Sequence, residues 1–483
     1  MDIQKHTMYI YYDRKPNAMG ENVDVGFWTP VISPSEGPLY LAIADAIAAD
    51  ILSGTLTEGT RLPPQRSLAD ALDIDFTTVT RAYAEARRRG LVEGHVGKGT
   101  YVRRRPSRAA SALSAGIIDM SMNLPPRFDD PKLEARMWAG IAGLESTGGL
   151  DLLLRYQEAG GAAVDRAAGA LWLANRVPSV AVERVLVCPG AQGALLAIAG
   201  LLAAPGDAIC AEALTYPGFR SLAAYLKIRL VAVEIDGEGI IPEAFDSACR
   251  IDRPKALYCT PTLHNPTTAT MSPKRREAIA AVARKHGVPI IEDDAYGMLP
   301  QRPSPPLAAL APELVYYVGG LAKCLSPALR LAYLVAPDAR IATRLAGAIR
   351  AITSMSSPLT AAIATRWIQD GTADAVVAAI RRETAARQDI ARASLPPGTF
   401  AADPEGFHLW LPLPPSWTRA EFATRLRSAG IGVVGSDAFA LGFPPEAVRL
   451  SLGVSATRAE LRASLQTIAD LLREQPAMSS TVI

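Results

Sequence analysis

Residues 319–335 read GGLAKCLSPALRLAYLV. One lysine, Lys323, stands among small and apolar residues, and Arg330 follows seven positions later. A lysine at the end of a buried strand has two uses. It can snorkel, packing its stem and leaving its ammonium in water. It can also hold a partly desolvated amine as a nucleophile. The stretch alone does not decide between them, so the rest of the chain must.

From about residue 117 onward, short β-branched runs alternate with helical patterns. The strand candidates are 185–188, 208–212, 230–234, 256–259, 289–292, 315–319 and 332–336, with helices such as 191–203 and 272–287 between them. That alternation predicts an α/β unit with a mostly parallel sheet and helices on both faces. Ligands of such sheets sit beyond the carboxyl ends of the strands. Several strand ends here carry a signal. PGAQG (189–193) is a Gly turn entering a helix, whose free N–H groups suit a phosphate. LTYPGF (214–219) offers Tyr216 as a stacking ring. TPTLHNPTTATMS (260–272) holds Asn265, and DDAYG (293–297) follows the strand candidate PIIE. Each has a plain structural reading: a turn, a core ring, a loop. Two adjacent aspartates after an apolar strand are costly unless one finds a cation.

Taken together the signals form one chemical set. A Schiff-base lysine needs its free-base form. A pyridine-type cofactor needs a carboxylate to keep its ring nitrogen protonated, a helix N-terminus and an arginine for its phosphate, and donors for its phenolic oxygen. Lys323, Asp293, the 190–193 turn, Arg330, Asn265, Tyr296 and Tyr216 cover these needs.

The bulk composition bounds the rest. At 483 residues, with 49% hydrophobic and 20% charged residues, the chain is globular and long enough for two or three domains. Net charge is only +2, but nine basic residues stand against two acids between Arg81 and Arg108. A local basic cluster in a neutral chain suggests a polyanion partner for that segment, or else a solvated helix face and a basic linker. The five cysteines have no metal-ligand or CxxC spacing, so no metal is expected and a reduced, cytoplasmic compartment fits. No signal peptide or membrane span is expected, because the N-terminus lacks an apolar core and apolar runs are short.

Residues 1–37 read as a leader. In 39–51, Leu39, Ile43, Ile47 and Ile51 lie four apart, one face of a helix. QRSLADALDI (65–74) predicts a second helix, and DFTTVTRAYAEARRRG (75–90) a third, with Asp75 as N-cap and Gly90 as C-cap. LVEGHVGKGTYV (91–102) is a hairpin around a Gly-rich turn. Three helices and a hairpin make a winged helix-turn-helix plan. Residues 103–118, basic and then Ser/Ala-rich, read as a linker.

Residues 119–483 resemble the pyridoxal-phosphate aminotransferases of fold type I. LHNPTTATMS is similar to that family's NPTG segment, IEDDAYG to its D-x-x-Y strand end, and GLAKCLSPALRLAY to its S-x-S-K-x-x-x-P-G-x-R-x-G-Y segment. The resemblance implies a fold type I transferase-like body with a small C-terminal α+β subdomain, and pyridoxal 5'-phosphate as cofactor. It implies that Lys323 forms the Schiff base and Asp293 pairs with the pyridine nitrogen. Asn265 and Tyr296 would hold the ring hydroxyl, Tyr216 would stack on the ring, and Ala191, Gln192 and Arg330 would contact the phosphate. Tyr156 would reach the phosphate of the other subunit of a homodimer. Arg449 would grip a carboxylate by a bidentate pair. The sequence departs from the family at Thr268, which replaces the NPTG glycine, and at Gly320 and Ala322, which replace two hydroxyls before the lysine.

Residues 38–102 are similar to the winged-helix domain of the GntR family. By position, Arg66, Thr77, Thr78, Gly97 and Lys98 would contact double-stranded DNA, and Arg81 is a further candidate on the recognition helix. The Ser-Arg that often opens that helix is Asp75-Phe76 here. A GntR-like head on an aminotransferase-like body is the plan of the MocR/GabR regulators. The resemblance implies a PLP-dependent DNA-binding transcriptional regulator that senses PLP or an amino compound through a Schiff base at Lys323. The alternative is a class I/II aminotransferase that passes an amino group to a 2-oxo acid and carries an accessory DNA-binding head.

Overall fold

The computed structural model describes residues 28–32, 38–57, 59–95, 99–103, 117–146, 154–178 and 180–474. Gly97 and Lys98 lie outside the described residues, as do most of the leader and the linker. The chain divides into two compact units, residues 1–111 and 112–483.

The first unit has helices α1 (Leu39–Ser53), α2 (Gln65–Leu72) and α3 (Phe76–Arg88) and an antiparallel hairpin, β1 (Val92–His95) and β2 (Gly99–Val102). Its core gathers Ile43, Ile47, Leu68, Val79, Ala82 and Tyr83, with Ile51 partly buried at its margin. Leu39 departs from the predicted stripe: it is the first residue of α1 and lies exposed. Asp75 caps α3 as expected, its side chain accepting from the Thr77 N–H at 2.7 Å. Trp28, within the 1–37 segment read as a leader, packs on this core and donates to Asp50 at 2.7 Å. An indole needs apolar cover and one acceptor, and both are here.

The second unit is built on a seven-stranded sheet. Its strands are β3 (Val185–Cys188), β4 (Ala208–Glu212), β5 (Arg229–Val233), β6 (Leu257–Cys259), β7 (Ile290–Asp293), β8 (Val315–Gly320) and β9 (Ala332–Val335), in the order β3-β9-β8-β7-β6-β4-β5. All pairings are parallel except those of β9, which runs antiparallel to both neighbours. Most strands are buried along their whole length, which explains their mainly apolar runs, broken by acids only at Glu212, Glu292 and Asp293 near the carboxyl ends. All seven match runs read from the sequence, with ends shifted by a residue at most. The shift at β7 matters, because it makes Asp293 the last strand residue.

The C-terminal subdomain is α+β, as the resemblance implies. Strands β10 (Ala401–Ala402), β11 (His408–Pro412), β12 (Val434–Gly435) and β13 (Ala447–Ser451) form a sheet in the order β10-β11-β13-β12, with helices Arg419–Ser428 and Arg458–Arg473. Residues Ile118–Asp119 pair with Ile431–Gly432 of this subdomain. No helix among the described residues is long and apolar enough to cross a membrane.

Candidate functional site

The buried strand β7, Ile-Ile-Glu-Asp, delivers Asp293 and Asp294 to the sheet's carboxyl edge, and the two meet different fates. Asp294 accepts 2.7 and 2.9 Å bonds from the Arg176 guanidinium and a 2.8 Å bond from the Tyr317 hydroxyl. It has found its cation. Asp293 has a single described partner, the Tyr258 hydroxyl, which donates to Oδ2 at 3.0 Å. Its Oδ1 is buried and unpartnered. Burial lifts the Asp293 carboxyl to about 6, against the pull of the Tyr258 hydroxyl.

Lys323 follows β8. Burial, with Arg449 nearby, pushes its amine down to about 8, and Asp293 opposes the shift. Its Nζ donates to the Asn123 carbonyl. Asn123 also donates from Nδ2 to the Tyr296 hydroxyl at 2.8 Å. Arg449, on β13, is buried and donates to the Ser121 carbonyl, and to Asn265 Oδ1 at 3.3 Å. Its Nε has no partner, and its guanidinium lies 5.7 Å from the Phe439 ring centroid. Burial pulls it down to about 10, opposed by Tyr296 and Asp119. His408, 5.5 Å from the Tyr296 ring, is held neutral, its pKa pushed down to about 3 by burial and by Arg449. Lys323, Asp293, Asn265, Tyr296 and Arg449 thus converge through direct bonds or their mutual fields.

A second cluster forms at the N-terminus of α4 (Gly190–Leu202). Gly190 has φ +77, a left-handed conformation, and the Arg330 carbonyl carbon lies 3.8 Å from where its Cβ would stand. Glycine suits the dihedral; the space itself would admit a Cβ. Ala191 faces Gly320: a Cβ on Gly320 would lie 3.4 Å from that of Ala191. Gln192 Nε2 donates to the Gly218 carbonyl at 2.7 Å, tying α4 to α5 (Pro217–Tyr225). Tyr216 precedes α5. Burial and Asp293 raise its hydroxyl while Arg330 lowers it, so the phenol lies in the fields of both clusters. Tyr156 is 86% exposed and is not drawn into either cluster within this chain.

Thr268 occupies the family's glycine position with φ +69, and its N–H donates to the His264 carbonyl at 2.7 Å. A β-branched residue there is strained by about 1–2 kcal/mol. The turn keeps the backbone shape that glycine would adopt freely.

Sequence reasoning missed Asn123, the Ser121 carbonyl, Tyr258 and His408. Asn123 sits in SMNLPP, which carries no spacing relation to Lys323 two hundred positions away. Tyr258 lies inside a buried strand and reads as core. Its one available signal was a phenolic hydroxyl in an apolar strand, which needs an acceptor.

On the head, Arg66, Thr77 and Arg81 are exposed and Thr78 is half-buried. The Thr77 hydroxyl donates to Asp75. The basic cluster is smaller than its residue count: Glu85 pairs with Arg88 and Arg89 at 2.7 Å, and Arg89 pairs again with Asp45 at 2.5 Å. Arg66 and Arg81 form no ion pair with a described residue.

The family model for aminotransferase class I and II matches residues 127–468, and that for bacterial regulatory proteins of the gntR family matches residues 39–102. The HTH-type transcriptional regulator YdeF of Bacillus subtilis is 31% identical over 451 residues, covering 92% of this chain and 96% of its own. The chain belongs to the MocR-type regulators, with a GntR head on an aminotransferase body. The probable rhizopine catabolism regulatory protein MocR of Rhizobium meliloti is 29% identical to this MocR-type chain over 329 residues, covering 62% of this chain and 66% of its own. Among solved structures, the kynurenine aminotransferase of Pyrococcus horikoshii superposes with a TM-score of 0.69 at 22% identity, covering 75% of this chain and 92% of that one, and shares its fold. Pyridoxal phosphate is the cofactor of this body's family, and the residues present fit it. The buried, unpartnered Asp293 Oδ1 is the acceptor a protonated ring nitrogen requires.

Proposed function

We propose that this MocR-type chain is a PLP-dependent transcriptional regulator whose body senses PLP or an amino compound at Lys323. Its head binds double-stranded DNA, and the chain works as a homodimer. The observation that carries this reading is the half-satisfied Asp293 beside a lysine whose amine is held near 8. Pyridoxal phosphate, when bound, supplies an aldehyde for an amine and an electron-withdrawing ring. Lys323 Nζ is the amine that attaches it, and Asp293 Oδ1 keeps the ring nitrogen protonated. Asn265 and Tyr296 hold the ring hydroxyl, and Tyr216 covers one ring face. The N–H groups of Ala191 and Gln192, with Arg330, take the phosphate, joined by Tyr156 of the second subunit. Arg449 binds the effector's carboxylate by exchanging its bonds to the Ser121 carbonyl and Asn265.

The Ser121 and Asn123 carbonyls offer a route from site to head. They cap Arg449 and Lys323. Their segment follows directly on the residues that join the two units and is stitched to the C-terminal subdomain by the Ser451 N–H to Met120 carbonyl bond. Cofactor attachment draws Lys323 off the Asn123 carbonyl, and an effector that displaces the lysine and takes Arg449 off the Ser121 carbonyl changes what this segment bonds to. It regulates only if it binds the two arrangements unequally. A dimer carrying two heads then favours paired half-sites through avidity.

The test is the visible absorption of the purified protein during titration with a panel of amino compounds, with DNA affinity measured in parallel. One compound that gives a new, stable spectrum and shifts DNA affinity supports the regulator. Bleaching that a 2-oxo acid reverses over many turnovers, with DNA affinity unmoved, supports the aminotransferase instead.

A further inference from the structure

The recognition helix α3 opens with an aromatic residue in the open. Phe76 is 42% exposed, and the Arg66 guanidinium of α2 lies 5.8 Å from its ring centroid. That distance is within cation–π range, and the contact, weak at an exposed site, biases the ring and the arginine towards each other. A second tie holds the same two helices together: the Thr80 hydroxyl donates to Gln65 Oε1 at 3.0 Å. The first turn is also closed to phosphate. Asp75 places a negative charge there and takes both the Thr77 N–H and the Thr77 hydroxyl. A turn so occupied repels the DNA backbone and favours contact with base edges.

A phenyl ring carries no donor or acceptor and cannot read the hydrogen-bonding pattern of a base pair. The apolar feature on major-groove base edges is the thymine C5-methyl group. We infer that Phe76 is a specificity-determining residue that packs on a thymine methyl in the major groove, with Arg66 biased by its ring to reach the neighbouring base pair or phosphate. The inference rests on the DNA-binding reading of the head. Charge complementarity supports DNA as the occupant of this face, because Arg66 lies against the ring without an ion pair to a described residue, and Arg81, on the same helix as the ring, is exposed and likewise unpaired.

The experiment uses the full chain and a duplex selected by it from random sequence. Each thymine of the selected site is replaced in turn by deoxyuridine, which removes only the methyl group. Wild-type protein should lose about fourfold in affinity at one thymine per half-site, the worth of one buried methyl. Phe76→Ala should bind the thymine and deoxyuridine duplexes equally, and Phe76→Leu, which keeps an apolar side chain, should retain part of the discrimination. The proposal is overturned if the deoxyuridine penalties are the same in wild type and Phe76→Ala. Failure to select any duplex would overturn the DNA-binding reading itself. Unchanged melting of the variants' heads separates lost reading from lost folding.

Discussion

The body and the head handle charge in opposite ways. In the body the groups proposed to hold cofactor and effector are desolvated and short of partners: Asp293 Oδ1 and Arg449 Nε are buried and unpaired, and burial pushes the Lys323 amine down to about 8. In the head the groups proposed to meet DNA, Arg66, Phe76 and Arg81, stand in the open. A small-molecule site takes its strength from a few interactions in a low dielectric. A DNA-binding face sums many exposed contacts, each weak and screened by salt. Single substitutions should therefore act nearly all-or-none in the body and by degrees in the head.

The largest effect belongs to Lys323. Lys323→Ala should abolish covalent retention of pyridoxal phosphate, read as loss of the visible band after gel filtration, and with it the effector response of DNA binding. An unaltered effector response in that variant would remove the body from regulation. The wild-type amine also predicts a pH profile. Only the neutral amine attacks an aldehyde, so attachment should quicken as pH rises and level off above about 8. A profile still climbing steeply at pH 10 would mean that the amine is as solvated as a surface lysine.

Within the body, Asp293 and Asp294 repeat the contrast at adjacent positions. Asp294→Asn leaves Arg176 buried without its counter-ion and should cost about 3–5 kcal/mol of stability in denaturant unfolding. Asp293→Asn removes a carboxylate that burial already disfavours, so apo-protein stability at pH 7 should hold or rise slightly. The same change should weaken cofactor binding by about 10- to 100-fold, the worth of one charge-assisted bond. Equal stability losses in the two variants would erase the distinction between structural and working carboxylate.

Much of this was legible because it is local. Strand ends announce themselves where an apolar run stops, and Asp293, Lys323 and the Gly190 turn sit at such stops. Asp75 was legible as a cap for the same reason. Asn123 was not, since its role depends on chain segments that meet only after folding. The basic cluster misled by count: Glu85 and Asp45 neutralise Arg88 and Arg89, and the second acid comes from another helix. Sequence spacing resolves contacts along one element better than contacts across two.

The head should respond more gently. Arg81→Ala should weaken DNA binding severalfold and lower the salt slope by about 1 if the arginine meets a phosphate, or relax selectivity at one base pair if it meets a base edge. A hundredfold loss from this single exposed arginine would put the head on the same footing as the body.

The smallest effect tests where backbone strain is kept. Among the described residues of the head the left-handed positions are Gly54, Gly59, Gly90, Gly99 and Asp73, and at four of the five glycine bears the dihedral without strain. In the body Thr268 bears φ +69 three residues after Asn265. Thr268→Ala keeps the strain and loses buried side-chain atoms, so it should destabilise. Thr268→Gly loses slightly more but releases about 1–2 kcal/mol of left-handed strain. Glycine should therefore be the more stable of the two variants by about 1 kcal/mol, the reverse of the usual order in regular structure. Urea unfolding of the pair would show it, and an alanine variant as stable as the glycine one would mean that the turn relaxes and Thr268 stores no strain beside the cofactor site.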